Sequence, residues 1–380
     1  MLAWAVLCLA AFLATPTLVD RAVNRVHSRG DTPAASVEAI ALHARLLIAD
    51  LHADSLLWPR DLTQRSSRGH VDLPRLLEGR VAIQVFGVVT KVPLIPNLER
   101  NDDDADLITL LAMASRWPRQ TWSRPLERAL FQARRLRELA AASAGRLVVI
   151  ERRSQLDELL AAREQGRDVL GALLGVEGAH ALEGDVAGVD RLFGAGVRMM
   201  SPSHFFDTRV GGSAHGVAKG GLSALGRSVV RRMEELGVTI DLAHASATTI
   251  EDVTAIATRP VVISHTGVRG TCDGTRNLED RHVRAVATGG GVIGIGYWKT
   301  AVCGSDVSAI ARAVRYTADL VGHRHVALGS DFDGAVAVPF DASGLALLVD
   351  ALLDEGFTHS EIADVMGRNV VRVLSANLPE

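Results

Sequence analysis

Short apolar runs rich in Val and Ile recur along the chain and alternate with longer amphipathic stretches. Most of the runs are apolar throughout, as expected for strands that are covered on both faces. Segments between them, such as 224–237 and 306–322, have the apolar spacing of helices that pack one face against a core. The strand-like runs are 46–54, 81–89, 171–178, 197–204, 238–244, 261–265, 291–297 and 325–331.

This alternation predicts an α/β fold, and eight strands favour a closed (β/α)8, TIM-like barrel over an open sheet. An extra strand-like piece at 146–151 makes the count less clear. The long connection between the second and third strands, roughly 90 to 170, is predicted to be a helical insertion that packs over one barrel end. Thr358 and Glu361 have the spacing of a capping box that begins a terminal helix.

The N-terminal segment is apolar and lacks charge for about eighteen residues, close to the minimum for a membrane-spanning helix and also typical of a signal-peptide core. No basic residue precedes it, whereas Arg21 and Arg25 follow it. This order argues against a cleavable signal and favours a cytoplasmic body. We predict a membrane anchor over residues 1–27, with the side of the membrane open, and one barrel domain over residues 28–380. The alternative is a buried or frayed N-terminal helix.

Composition excludes several classes of protein. With 48% hydrophobic and 22% charged residues the chain is globular, and a net charge of -3 gives no basic field for nucleic acid. Cys272 and Cys303 are the only cysteines of the body, since Cys8 lies in the N-terminal segment. The absence of a C-x-x-C pair argues against thiolate zinc sites and dithiol redox chemistry. We predict that Cys272 and Cys303 are bridged if the body is exported.

Residues that bind metals end six of the eight predicted strands. A parallel barrel builds its active site at the carboxyl ends of its strands. Each residue alone is most simply a hydrogen-bonded surface histidine or a carboxylate paired with an arginine, but their convergence indicates a metal centre. In chain order they are His52, Asp54, Glu177, His204, His244, His265 and Asp331.

The types of donor atom narrow the choice of metal. Imidazole and carboxylate without thiolate suit Zn, Mn, Fe or Ni. His52, Asp54, His244 and His265 exceed what one catalytic site with an open position needs. Glu177 lies between the two groups and can give one oxygen to each of two ions. We therefore predict a two-metal site, with ions about 3.5–4 Å apart that bind a bridging water, and zinc as the default metal.

Nine motifs in this order resemble the membrane (renal) dipeptidase family of metallopeptidases over most of residues 46–375. They are DLHAD, GHVDLPRLLEGRVAIQ, GVEGAH, RMMSPSH, DLAH, VISHTG, RNLED, GSDFDG and GFTHSEIADVMGRNVVRV. The resemblance implies a (β/α)8 barrel of the metal-dependent hydrolase type with two zinc ions. It also implies that a metal-bridging hydroxide hydrolyses dipeptides.

The resemblance implies a role for each ligand position. His52 and Asp54 would bind the first zinc, His244 and His265 would bind the second, and Glu177 would bridge them. The first family motif usually reads D-G-H-N-D, so this chain departs from the motif between its ligands but keeps the ligands themselves. The metal centre is therefore expected to be intact.

The resemblance further implies that His204 binds the substrate and polarises its carbonyl, that Asp331 moves the proton, and that Arg276 holds the substrate carboxylate. Asp333 is an alternative proton carrier, and Arg276 could instead form a structural ion pair. After AIQ this chain has Val-Phe-Gly in place of an aromatic pair, and Arg281 follows RNLED where a second acid is common. These two departures leave the substrate preference open.

The expected function is metal-dependent dipeptide hydrolysis. The alternatives are a related barrel hydrolase that acts on another amide, a lactone or a phosphoester, and a membrane-tethered binding protein with an inactive barrel. The expected partners are a dipeptide and, through the N-terminal segment, a membrane. A homodimer is left open, and nucleic acid is not expected.

Overall fold

The structure is a computed structural model that describes residues 2–27, 34–103 and 105–380, with side chains from residue 10 onwards. Its strands in chain order are β1 Arg25–Val26, β2 Ile48–Ala53, β3 Val81–Val89, β4 Leu147–Val149, β5 Leu170–Glu177, β6 Val197–Met200, β7 Thr239–Ile240, β8 Val262–Thr266, β9 Val292–Ile295, β10 Val326–Leu328 and β11 Ala337–Val338. All eight predicted barrel strands are present.

Eight of these strands form one parallel sheet in the order β7-β6-β5-β3-β2-β10-β9-β8. A parallel bridge between Asp241 and Val262 joins the two outer strands of this order. The sheet therefore curls into the predicted (β/α)8 barrel, which has no free edge between β7 and β8. The short strand β4 pairs with β5 from outside, with Leu147 opposite Leu170, and it corresponds to the extra strand-like piece.

The helices surround the barrel, and most bury one face. For example, α8 buries Val229, Val230 and Met233, begins with a hydrogen bond from Gly226 N to the Ser223 side chain, and ends at the left-handed Gly237. The helices are α1 Leu2–Val23, α2 Val37–His43, α3 Leu73–Glu78, α4 Leu107–Ala114, α5 Pro125–Ala142, α6 Arg153–Glu164, α7 Ala187–Gly194, α8 Ala224–Leu236, α9 Ala247–Ile256, α10 Asp280–Thr288, α11 Lys299–Val302, α12 Val307–Val321, α13 Leu345–Asp354, α14 His359–Ala363 and α15 Asn369–Asn377.

The C-terminal segment packs against the barrel strands. The predicted capping box is present, since Thr358 and Glu361 exchange side-chain-to-backbone hydrogen bonds at the start of α14. A single π-helical stretch, Asp364–Arg368, joins α14 to α15. Val373 and Leu374 of α15 are fully buried in one cluster with strand residues of the barrel.

The connection between β3 and β5 contains α4, α5, β4 and α6. A separate buried cluster holds it to the barrel, built on Trp58 and Val89 from the barrel side and on Ile108 and Trp117 from the insertion. Arg128 of α5 is only 1% exposed, and its guanidinium donates to backbone carbonyls and to Asp106. These contacts fix the insertion above the carboxyl ends of the first barrel strands.

The N-terminal segment forms a helix that docks on the protein, so the predicted membrane anchor and membrane-associated localisation are wrong. Within the described ranges, no helix combines the length and the apolarity that a membrane span requires. The physical reason is visible in α1, which contains Pro16, carries Asp20 and Arg21 near its end, and packs Val19 and Val23 against the insertion cluster. Asp20 is fully buried.

Two polar contacts fix the end of α1. Asp20 forms ion pairs with Arg60 at 3.2 Å and with Arg68 at 2.8 Å. The following strand β1 pairs in parallel with β11, where Val26 lies opposite Val338.

The predicted boundary between residues 27 and 28 adjoins the stretch 28–33, which lies outside the described residues, so the division into two segments stays a prediction.

Candidate active site

The predicted site residues converge at one end of the barrel, and each is at most 8% exposed. Strands β2, β5 and β8 carry His52, Glu177 and His265. The loops that follow strands carry the others, which are Asp54, His204, His244, Arg276 and Asp331. The sequence placed all of these residues except Arg276 at strand ends, and the barrel brings the whole set into one cluster.

Glu177 lies in the middle of four imidazoles. Its Oε1 atom is 2.9 Å from His244 Nε2, 3.3 Å from His265 Nε2 and 3.9 Å from His52 Nε2. Its other oxygen, Oε2, is 3.3 Å from His204 Nε2. Glu177 is therefore close both to His52 and to the pair of His244 and His265, as a carboxylate shared between two ions must be.

The nitrogen and oxygen atoms of the cluster are close enough to share ions. His52 Nε2 is 3.2 Å from Asp54 Oδ1, and the Nε2 atoms of His244 and His265 are 3.0 Å apart. In three sets the potential ligand atoms lie within 4.8 Å of one another, namely His52 with Asp54 and Glu177, Glu177 with His204 and His244, and His52 with His265 and Asp331.

The buried polar atoms of this cluster fit a cation. His52 Nε2, Asp54 Oδ1 and Glu177 Oε1 have no hydrogen-bond partner in the described part of the chain. Buried polar atoms without partners are costly, and a metal ion satisfies such lone pairs. Gly87 leaves the necessary room, because a Cβ atom there would lie 2.2 Å from Asp54 Oδ1. The imidazole and carboxylate donors suit zinc and similar ions.

Burial dominates the protonation of the cluster. It raises the pKa of Glu177 well above its ordinary value and raises the pKa of Asp331 to about 8. Burial also lowers the pKa of His204, His244 and His265 well below the usual range, which favours the neutral imidazole that binds metals.

His52 behaves differently from the other three histidines of the cluster. Burial alone would lower its pKa, but the charges of Asp54 and Glu177 outweigh this effect and raise the pKa to about 10. The protein thus gathers negative charge around the His52 ring, and a positive ion at the same place would replace the proton.

Hydrogen bonds through Ser264 to Asp241 orient the ring of His265. Ser264 Oγ lies 2.9 Å from His265 Nδ1 and donates to Asp241 Oδ2 at 2.6 Å. Contacts of this kind fix the ring of a metal-binding histidine. Sequence reasoning missed Asp241 and Ser264. The position of Asp241 at the end of β7, three residues before His244, was the available signal.

His215 supports His244 in the same way. Its Nε2 atom is 3.1 Å from His244 Nδ1, and its Nδ1 atom is 2.7 Å from the carbonyl oxygen of Leu98. Burial lowers the pKa of His215 to about 4, which keeps the ring neutral. Sequence reasoning missed this residue too, because it lies in a glycine-rich loop outside any strand.

Arg276 is buried beside the cluster without an acidic partner. Its Nη2 atom donates to the carbonyl oxygen of His265 at 2.7 Å, and Nη1 donates to Thr266 Oγ1 at 3.3 Å. The guanidinium carbon is 5.8 Å from the Trp298 ring centroid. Among the residues that the structure describes, no carboxylate lies within ion-pair distance of Arg276. The charge is therefore available to a ligand.

The loop that carries Arg276 is fixed to α11. The predicted disulfide is present, since Cys272 and Cys303 are joined and their Cα atoms are 5.2 Å apart. The Asn277 side chain donates to the carbonyl oxygens of Cys272 and Ala301. These contacts hold the Arg276 backbone beside the cluster.

Asp331 and Asp333 have different surroundings. Asp333 is fully buried, accepts hydrogen bonds from Ser55 Oγ at 2.6 Å and from His70 N at 2.7 Å, and pairs with Arg60 Nη2 at 2.7 Å. All of these contacts are structural, so Asp333 is a poor proton carrier. Asp331 belongs instead to the group of His52 and His265.

A cavity of about 770 Å³ opens over the cluster. At one end it is lined by the charged and imidazole residues Asp54, Glu177, His204, His244, His265, Arg276 and Asp331. At the other end it is lined mainly by apolar side chains from α1, α4 and the loops beside them. The cavity is therefore polar at the cluster and apolar beside it.

Solved structures share this fold. The chain matches the probable dipeptidase PvdM from Pseudomonas aeruginosa with a TM-score of 0.75 at 19% identity, over 90% of this chain and 98% of that chain. It matches a metallo peptidase from Rhodobacter sphaeroides, liganded with a phosphinate mimic of the dipeptide L-Ala-D-Ala, with a TM-score of 0.73 at 23% identity, over 87% of this chain and 99% of that chain. At these sequence identities the structural similarity shows the fold alone.

Curated relatives and a family model extend the comparison. An uncharacterized protein in the pqqA 5′ region of Klebsiella pneumoniae is 30% identical over 63% of this chain and 92% of its own length. The dipeptidase verJ of Clonostachys rogersoniana is 31% identical over 54% of this chain, and the match spans only 55% of that protein. The model of the membrane dipeptidase family, peptidase family M19, matches residues 37–378. The chain therefore belongs to the membrane dipeptidase family, and it is a metal-dependent dipeptidase with the fold of that family.

Proposed function

We propose that this metal-dependent dipeptidase holds two zinc ions with His52, Asp54, Glu177, His244 and His265. The observation that carries the proposal is the position of Glu177, whose Oε1 atom is 3.9 Å from His52 Nε2 and 2.9 Å from His244 Nε2, so that this carboxylate lies between the two proposed pairs of ligands. When bound, such ions lower the pKa of a water towards neutrality and polarise a carbonyl. The protein supplies the dry, shaped site in which this chemistry acts.

Arg276 is proposed to hold the free carboxylate of the substrate. Its guanidinium is buried, directed by two hydrogen bonds, and has no acidic partner among the described residues. A planar guanidinium can bind a carboxylate through two parallel hydrogen bonds. This contact favours short peptides with a free C-terminus over internal peptide bonds.

His204 is proposed to bind the substrate carbonyl. Its Nδ1 atom is buried and has no hydrogen-bond partner within the described ranges. Burial lowers the pKa of His204 well below its usual range, so the ring is neutral and carries one N–H donor. A donor aimed at the carbonyl oxygen stabilises the negative charge that develops there during attack.

Asp331 is proposed to accept a proton from the attacking water and to pass it to the leaving amine. The carboxyl group lies in the same cluster as His52 and His265. Burial raises the pKa of Asp331 to about 8, so the proton affinity of this group is suited to exchange near neutral pH. Asp333 cannot share this role while it is paired with Arg60.

The test combines metal analysis with a substrate panel. We expect elemental analysis of the zinc-loaded chain to give about two equivalents of zinc. We expect dipeptides to be hydrolysed faster than their C-terminal amides, lactones or phosphotriesters. Glu177→Gln should lose metal, whereas Glu78→Gln on the exposed face of α3 should not, since the Glu78 side chain is 53% exposed.

Three results would contradict the proposal. One tightly bound ion and no second, even with excess metal, would reject the dinuclear centre. A preference for lactone or phosphotriester would favour the alternative of a related barrel hydrolase, and metal binding without any turnover would favour an inactive barrel. A homodimer remains a prediction, which sedimentation of the purified chain would test.

A further inference from the structure

One face of α1 lines the cavity above the proposed metal centre. Phe12, Thr15, Pro16 and Val19 all contribute to the lining. Their spacing of three, four and seven residues places them on a single side of the helix. The family match begins at residue 37, so this wall lies outside it. The helix therefore contributes to the cavity a wall that the family model does not cover.

The helix is held firmly enough to act as a wall. Asp20 is buried and pairs with Arg60, which also pairs with Asp333 near the proposed proton carrier. Asn24 accepts a hydrogen bond from the backbone N–H of Ala335 at 2.9 Å. These contacts lie at the end of α1 next to the cluster, so the lining face has a defined position.

The part of the lining next to α1 is apolar as well. It is formed by the insertion and the loop before it, through Val92, Leu107, Ile108 and Leu111, and by Trp58. Val19 packs directly against the buried cluster to which Ile108 and Trp58 belong. The two walls thus form one continuous apolar compartment that opens onto Glu177 and Arg276.

We propose that α1 and α4 form a specificity pocket for a large apolar side chain of the dipeptide substrate. The proposal rests on the proposed function, because it names the substrates of that same site. A cavity of about 770 Å³ is in the range that holds drug-sized ligands, so a dipeptide of two alanines fills only a small part of it. A large apolar side chain would fill the rest and displace water from apolar surface.

The expected preference follows from the area of that side chain. Each buried methylene group favours binding by roughly fourfold, so several such groups exceed tenfold together. We expect the zinc-loaded chain to show kcat/KM values at least about tenfold higher for Phe-Ala or Ala-Phe than for Ala-Ala. Measuring both sequences samples both side-chain positions of a dipeptide.

Variants of α1 test the wall directly. Phe12→Ala removes apolar surface from the lining, and Thr15→Trp fills part of the pocket. Both variants should lower the ratio of kcat/KM for the Phe dipeptide to that for Ala-Ala by about five- to tenfold. Leu18→Ala is the matched control on the same helix, because Leu18 is 61% exposed and does not line the cavity. It should leave the ratio unchanged.

The outcomes separate this inference from the proposed function. Absence of hydrolysis of every dipeptide overturns the proposed function and the inference with it. Hydrolysis with a wild-type ratio near one overturns the inference alone, as does a ratio that Phe12→Ala and Thr15→Trp leave unchanged. Thermal unfolding of each variant shows whether α1 remains docked. The Thr15 side chain is exposed, so a larger side chain at this position does not displace the core.

Discussion

Asp333→Asn is expected to destabilise the protein and to slow catalysis, although Asp333 has no part in the proposed chemistry. The carboxylate is fully buried and is satisfied by Arg60, Ser55 and His70. Burial by itself would raise the pKa of Asp333, but the charges of Arg60 and His70 and its hydrogen bonds hold that pKa below its ordinary value. The group is therefore charged at neutral pH, and the variant leaves Arg60 with one acidic partner fewer.

The size of the effect follows from burial. Removing one partner of a buried ion pair costs about 3–5 kcal/mol in free energy of unfolding. A chain of 380 residues has an unfolding entropy near 0.8 kcal/mol/K at about 2.1 cal/mol/K per residue, so the melting temperature should fall by about 4–6 °C. The same pair fixes the loop that carries Asp331, so a second effect on kcat is expected.

This loop has a strained backbone. Asp331, Asp333 and Ala335 have φ values of 57°, 64° and 61°, and each such non-glycine residue costs about 1–3 kcal/mol. The surrounding contacts, including the ion pair of Asp333, hold them in place. Without that pair the loop can relax, and a displacement of Asp331 by about 1 Å would lower kcat by up to about 100-fold.

Thermal unfolding and steady-state kinetics at a fixed zinc concentration measure both effects. Because the folded pKa of Asp333 lies below the unfolded value, its stabilisation is complete above the unfolded pKa, near 4, and is lost as the pH falls through the folded pKa. The difference between wild type and variant should therefore shrink below about pH 4.

Glu78→Gln is the control. It breaks the Arg65 pair, whose side chains are 50% and 53% exposed, and it should cost at most about 1 kcal/mol. An Asp333→Asn variant that melts at the wild-type temperature at pH 7 would refute the reasoning, as would a loss no larger than that of Glu78→Gln. Normal stability with reduced kcat would show that Asp333 acts on the loop without contributing to the fold.

Three further variants test the site. Arg276→Ala should mainly raise KM, and the binding free energy lost should be about 2–5 kcal/mol for free dipeptides and far smaller for a dipeptide amide. Equal losses for the acid and the amide would show that Arg276 has a structural role. Asp331→Asn should lower kcat by roughly 10²–10⁴ with KM little changed, and full kcat in steady-state assays would assign proton transfer to another group. Gly87→Ala places a Cβ atom 2.2 Å from Asp54 Oδ1, so elemental analysis should show lost metal, whereas full metal content would mean that this part of the site can shift.

The sequence by itself determined the barrel and most of the residues that meet at one of its ends. Apolar runs covered on both faces mark buried parallel strands, because in a closed barrel the helices cover the outer face of each strand and the other strands cover the inner face. Strand ends are local features, so His52, Glu177 and His265 could be placed at the site from their position after such runs. The capping box of Thr358 and Glu361 was equally local and is present.

The fate of the N-terminal segment could not be determined in this way. The hydropathy of an apolar segment is the same whether the segment is buried in lipid or packed against protein. Whether α1 docks depends on Arg60 and Arg68, which lie about forty residues further along the chain and pair with Asp20 only once the barrel has formed. The predicted anchor was wrong because the sequence does not display these partners.

The resemblance favoured Asp331 over Asp333, but only the tertiary structure showed the physical difference between them and found His215. The two aspartates lie two residues apart in one motif, and their different surroundings come from Arg60 and Ser55, which approach Asp333 from the other end of the chain. His215 reaches His244 across 29 residues, from a loop with no strand pattern. The periodicity of the sequence indicates which face of a helix or strand is buried. The partner of a buried charge or ring depends instead on how elements distant in sequence pack together, and this packing exists only in the folded chain.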